Sequence, residues 1–156
     1  MKKLLMTLSL ALCFLAPSPL LAQLELGGQL SYADDTDLGV GGRVSLVLPS
    51  ELGLRLLGSF DYFFPDGNFD YWEVNGNVAY PLPLEAQAVS LYVGGGLNIA
   101  HASNGASDTR IGLNLLGGVD YLVQTLRLYG ELRLEVEGGE QFVLTGGVLF
   151  PVGPGL

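Results

Sequence analysis

Cysteine, histidine, tryptophan and lysine are almost missing from this chain, and each scarcity excludes something. One cysteine, Cys13, is all there is, so no disulfide can staple the fold. One histidine and one cysteine exclude the usual zinc spacings. Both lysines, Lys2 and Lys3, stand at the extreme N-terminus. Beyond them five arginines face sixteen acids, a net charge of −11 that argues against nucleic acid as a partner. After residue 22 no apolar run approaches the roughly 18 residues of a spanning helix. Mean hydropathy is nonetheless +0.40, so apolar surface has to be placed by other means.

The first residues, MKKLLMTLSLALCFLAPSPLLAQ, combine a basic start, an apolar stretch and a small residue at Ala22. They read as a secretory signal peptide over 1–22, cleaved after Ala22. Leu12, before Cys13, is bulkier than a lipid-attachment site normally allows. The expected mature chain, 23–156, has the length of one domain and carries no cysteine.

What is present is strict alternation. QLELGGQLSY puts Leu24, Leu26, Gly28, Leu30 and Tyr32 on one face, and Gln23, Glu25, Gly27, Gln29 and Ser31 on the other. Period two predicts strand. The same pattern recurs over 38–48, 52–64, 71–80, 89–100, 110–122, 125–136 and 141–150, giving eight strands of about the length that crosses a bilayer when tilted. DDTD, PDGNFD, HASNGASDT and EGGE form one set of connections, polar and rich in Gly or Asp. PSE, PLPLEAQA and VQT form the other set. An all-β, eight-stranded antiparallel up-and-down transmembrane β-barrel follows, with the first set outside the cell and the second in the periplasm.

The two faces differ sharply. Of 46 apolar-register positions, 38 are Leu, Val, Ile, Phe, Tyr or Trp and eight are Gly, so that face carries no charge. The opposite register holds Arg43, Arg55, Arg110, Arg127 and Arg133 with Glu25, Asp61, Glu73, Asp120, Glu131 and Glu135. Eight strands enclose barely enough space for their own side chains, so the smaller, polar register belongs inside. A charge on a lipid face costs roughly 2–4 kcal/mol near the midplane, which explains its exclusion there. Tyr32, Tyr62, Phe64, Trp72 and Phe142 fall near the outer ends of outward registers, and Tyr80, Tyr121 and Phe150 near the inner ends, as two interfacial girdles. One glycine sits in the middle of each outward register: Gly28, Gly42, Gly58, Gly76, Gly95, Gly117, Gly130 and Gly146. These let coiled strands bend around a narrow barrel.

LYVGGGLNIA, GLNLLGGVDYLV and LRLYGELRLEV, with a last strand FVLTGGVLF ending at Phe150, resemble the small eight-stranded outer-membrane barrels of the opacity-protein and outer-membrane-protein-A transmembrane type. PVGPGL follows, where many such barrels end at the aromatic. The resemblance implies a cell outer membrane (Gram-negative-type envelope), outer-membrane lipid and the barrel-assembly machinery as partners, a monomer and no cofactor. It fixes no activity, because the fold hosts several.

Three roles are then open. Balanced interior charges read as a plug in which ion pairs replace an apolar core, so the leading reading is a non-catalytic envelope or surface-interaction protein acting through acidic outer loops. Those loops carry Asp34, Asp35, Asp37, Asp66, Asp70, Asp108, Glu137 and Glu140. DDTD, with Asp34, Asp35 and Asp37, offers carboxylates to a hard cation but lacks the Gly and distal Glu of a calcium loop. A narrow small-solute channel is a second reading. The third is a lipid A acyl hydrolase: His101, Ser103 and Asn104, followed by Gly112 and Asn114, resemble the lipid A deacylase barrels. That likeness implies His101 as base and Ser103 as nucleophile. Asn114 stands where those barrels carry an acid.

Overall fold

The computed structural model describes residues 24–65, 70–83, 88–103, 107–137 and 140–152. The expected signal segment, with Cys13 and Ala22, and the expected loop residues Asp66 and Asn104 lie outside them. Eight strands run in chain order: β1 (Leu24–Ala33), β2 (Asp37–Val47), β3 (Arg55–Phe63), β4 (Asp70–Leu82), β5 (Val89–Ser103), β6 (Ser107–Val123), β7 (Leu126–Val136) and β8 (Phe142–Val152). Each pairs antiparallel with the next, and β1 closes on β8 from Leu24↔Val152 to Ala33↔Val143. No helix is present among the described residues.

Register fixes the geometry of closure. Following partners from Thr109 leads through His101, Trp72, Tyr62, Val40, Leu30, Gly146 and Gly130 and returns to β6 at Val119. The circuit arrives ten residues (119 − 109) along the strand from its start. A stagger of that size tilts the strands by roughly 40° and leaves an interior just wide enough for side chains.

The expected strands form, with the largest shifts at two places. The segment 52–64 begins its strand only at Arg55. Before it, Leu48 donates to the Leu54 carbonyl at 2.8 Å and Gly53 turns with φ +60°, a left-handed conformation suited to glycine. HASNGASD is mostly strand rather than loop. His101↔Thr109, Ala102↔Asp108 and Ser103↔Ser107 extend the β5–β6 ladder. β7 reaches only as far as Leu113 of β6, so this hairpin stands above the rim formed by its neighbour.

The outer wall is the apolar register. Leu30, Leu97, Leu115, Leu132 and Leu144 are each more than half exposed. Of the aromatics, Tyr32, Phe64, Tyr80, Tyr121, Phe142 and Phe150 are exposed at the two rims. Tyr62 and Trp72 are half-buried, because Tyr62 packs edge-on against Phe64 and Trp72 lies between Phe60 and His101.

The glycines of the two registers do different jobs. A Cβ on the outward Gly76 would meet nothing within 4 Å. A Cβ on the inward Gly27 would collide with the Val148 carbonyl of β8, where the barrel closes. On the inward Gly118 it would strike the Tyr92 ring, and on Gly147 the Tyr129 hydroxyl. Gly27→Ala is therefore expected to destabilise the folded barrel by about 1–3 kcal/mol, and Gly76→Ala to change it by no more than about 0.5 kcal/mol. Urea unfolding in lipid vesicles, followed by tryptophan emission, compares the two.

Candidate functional site

The lumen is the candidate site, and it is built in layers from the inward register. At the turn end, nearest both termini, Arg127 Nε donates to Glu25 at 2.9 and 3.1 Å, and its Nη1 lies 3.6 Å from Asp120. Asp120 also pairs with Arg55 at 2.8 Å, and the Arg55 guanidinium covers the Tyr92 ring. One layer up, Arg43 forms a two-pronged pair with Glu131 and stacks 4.4 Å above the centre of the Tyr129 ring. Tyr92 donates its hydroxyl to Glu131 at 2.9 Å, and Tyr129 donates to Gln29 at 2.6 Å. These arginines reach across the lumen from one wall to another, which an aliphatic side chain of equal length could do only without satisfying the carboxylates.

The loop end is organised around Arg133, which has no exposed surface. It donates to Glu73 at 3.0 Å and to Glu135 at 2.8 Å. Gln141 joins the same group, donating to Glu73 at 2.7 Å and to Glu135 at 3.1 Å. Tyr71 adds a hydroxyl to Glu73, and Thr36 caps the amide of Gln141. Asp61 is fully buried and accepts from Gln29, Ser31 and Ser59, with no arginine within ion-pair distance. Above this layer Phe63 and Tyr71 pack with Ala33, Ala100 and Val143. A depression of about 180 Å³, edged by Asp35, Asp108 and Arg110, opens over them.

Ten of the eleven charges expected inside are therefore in or at the edge of the lumen, and one is not. Arg110 pairs with Asp108 at 2.8 Å, and both side chains are more than half exposed. It has the inward parity, opposite Ala100, but sits on the part of β6 that rises past β7. Parity gives the face of a strand and not its height, which is why alternation misplaces it.

The interior aromatics are not singled out by the sequence pattern. Tyr71, Tyr92, Tyr129 and Phe63 are buried, together with Leu57, Leu116 and Leu149. Tyr129 shares the parity of Arg127, Glu131, Arg133 and Glu135 on β7, and Tyr92 that of Ser90 and Asn98 on β5, and that is the available signal. Their partners Gly118 and Gly147 vacate the volume that the rings fill.

At the outer rim His101 stacks on Trp72, with ring centres 5.0 Å apart and 24° between planes. Its Nδ1 shares a hydrogen bond with Thr109 Oγ1 at 2.7 Å. Ser103 lies two residues on, opposite Ser107 and Asp70. No hydrogen bond joins His101 to Ser103 among the described residues. In DDTD, Asp34 accepts from the Phe142 amide at 2.9 Å, while Thr36 turns inward to Gln141. Among the described residues no group of three or more His, Cys, Asp or Glu is arranged to hold a metal ion.

No protein-family model and no curated protein matches this chain. Solved structures do. The N-terminal β-barrel domain of OprF from Pseudomonas aeruginosa is 13% identical with a TM-score of 0.68, covering 81% of this chain and 95% of its own. Neisserial surface protein A is 17% identical with a TM-score of 0.59, covering 82% and 95%. The fold is that of the small outer-membrane barrels. A de novo designed transmembrane β-barrel aligns as well, at 18% identity and a TM-score of 0.53 over 83% and 94%. A designed sequence on the same frame shows that such low identity speaks to the fold alone.

Removing the cation at the centre of the loop-end layer leaves Glu73 and Glu135 buried without a partner charge. Arg133→Met is expected to destabilise the barrel by about 3–5 kcal/mol. Adding Glu73→Gln and Glu135→Gln to Arg133→Met should recover most of that loss, measured by chemical unfolding of the single, double and triple variants.

Proposed function

We propose that this protein is exported by the segment 1–22 and inserted in an outer membrane as a monomeric barrel with a closed lumen. It serves envelope structure or surface interaction through its loop end. The observation that carries this reading is the contrast between the two registers. Between its two rims the outer wall is apolar and, among the described residues, free of charge, while cation–carboxylate pairs bridge the interior. A wall of that kind meeting water would be an apolar patch far beyond a few hundred Å². In hydrocarbon it costs nothing, and the closed sheet leaves no unpaired backbone to lipid.

The polar, acidic connections project from the end remote from the termini, which is the outward end if the N-terminus lies in the periplasm. Asp35, Asp37, Asp70, Asp108, Glu137 and Glu140 are placed there. They supply a negatively charged surface for solvent, for divalent ions bridging to lipid phosphates, or for a protein partner. The girdle aromatics belong at the two headgroup levels of that membrane.

Conduction would require room beside the guanidinium groups of Arg43, Arg55 and Arg133, and each of these is already paired and at most 6% exposed. Planar-bilayer recording of the purified, refolded protein is expected to show no steady unitary conductance. Sustained discrete openings would refute the closed lumen.

The acyl-hydrolase reading depends on a base in reach of the Ser103 proton, and among the described residues the side-chain hydrogen bond of His101 runs to Thr109 and not to Ser103. Lipid A from cells carrying the protein or its Ser103→Ala variant is expected to keep the same acylation. Release of a 3-hydroxy fatty acid by the unsubstituted protein alone would decide for the enzyme.

A further inference from the structure

Arg133 divides one edge of its guanidinium between two carboxyl groups. Its Nε donates to Glu135 Oε1 at 2.8 Å and its Nη2 to Glu73 Oε2 at 3.0 Å. The two parallel N–H bonds of such a fork ordinarily take both oxygens of a single carboxylate. Taking one oxygen from each of two sets an oxygen of Glu73 beside an oxygen of Glu135, and the two side chains are in hydrogen-bond contact with each other. Gln141 Nε2 joins them a second time, donating to Glu73 Oε1 at 2.7 Å and to Glu135 Oε2 at 3.1 Å.

Two carboxyl groups hydrogen-bond to one another only with a proton between them, since an ionised carboxylate has no donor. The surroundings favour that proton. Glu73, Glu135 and Arg133 are at most 1% exposed, so water screens none of their charge. The groups that face the pair are Tyr71 on β4, Asp61 on β3, Asn114 on β6, Arg133 on β7 and Gln141 ahead of β8. Arg133 is the one cation among them, and Asp61, directly opposite Glu73, adds negative charge. With both carboxylates ionised, one arginine would leave a buried charge uncompensated, and one proton removes it.

The pair is also tied to the loop end. Thr36, in the β1–β2 connection, donates to the Gln141 side chain at 3.1 Å, and the Gln141 carbonyl accepts from the Glu135 amide at 3.0 Å. Tyr71 and Gln141, which cover the pair, line the depression of about 180 Å³, so solvent stands just above them.

We propose that Glu73 and Glu135 share one proton, and that this proton latches the β1–β2 and β7–β8 connections to the barrel through Gln141. The proton belongs to the pair rather than to either residue. When hydroxide takes it, two carboxylates stand ionised side by side and part, and the single amide nitrogen of Gln141 no longer reaches both. The loop end is fastened at neutral pH and released on the alkaline side.

Infrared spectra of the full barrel in zwitterionic vesicles read the proton without substitution, through the carbonyl stretch that a protonated carboxyl group has and a carboxylate lacks. At neutral pH such a band is expected, shifted by carbon-13 in the glutamate side-chain carboxyl and lost at alkaline pH. Glu73→Gln and Glu135→Gln, which keep the shape, should each abolish it. No band at neutral pH, a band that answers only to labelled aspartate, or one that survives in both variants would overturn the shared proton. Stability gives the sign. The folded barrel holds a proton that the free glutamates of the unfolded chain have released, so stability falls as pH rises through the titration of the pair. The unfolding equilibrium constant should rise by up to about tenfold per pH unit there, and Glu135→Gln should lack that rise. Exchange of the Glu135 amide, corrected for the intrinsic effect of pH, reads the latch. Its protection should fall over the same range in the unsubstituted protein and hold level in Glu73→Gln. Protection independent of pH in the unsubstituted protein would reject the latch.

Discussion

Everything in this structure depends on closing eight strands into a cylinder whose inside is full. A stagger of ten residues sets the tilt, and the resulting lumen has little room beyond its own side chains. The hydrophobic effect cannot hold such an interior together from within, because the apolar side chains are needed on the outer wall. Polar groups fill it instead, and they can do so only if nearly all of them are satisfied. Arginine suits such an interior, being long enough to cross the lumen and carrying a planar fork that matches a carboxylate. The pairs Arg43–Glu131, Arg55–Asp120 and Arg133–Glu73 are thus as much a core as any leucine cluster.

Volume sets a second condition on the same cylinder. Large rings such as Tyr92 and Tyr129 share the lumen with guanidinium groups only because facing positions have no side chain. Inward glycine and inward tyrosine form one packing unit, with cation–π contacts of 4.4 and 4.7 Å tying the rings to Arg43 and Arg55. The outward glycines answer to no comparable contact at Gly76, which agrees with a role in strand curvature. The same packing distributes charge unevenly: three arginines meet three acids at the turn end, and one arginine meets two at the loop end.

Much of this is legible in the chain. Period-two alternation locates all eight strands, the sorting of charge separates inside from outside, and the aromatic ends mark the rims. Three features are not legible, for a common reason. Arg110 has the parity of a lumen residue but lies above the wall that would bury it. His101 and Ser103 look like loop residues, yet they continue a ladder whose partners begin at Ser107. Asp61 reads as one more member of a balanced set, although its ligands are an amide and two hydroxyls. Each depends on how far strands are shifted along one another.

By itself, the amino-acid order determined which face of each strand meets hydrocarbon and which meets the other strands. That information is local, because successive side chains point to opposite sides of an extended backbone whatever its neighbours do. Only the tertiary structure decided which arginine meets which acid, which glycine yields to which ring, and which charge is left without a partner. Those facts hang on register and closure, where residues such as Glu25 and Arg127, 102 apart in sequence, come within 2.9 Å. Alternation carries no information about that distance.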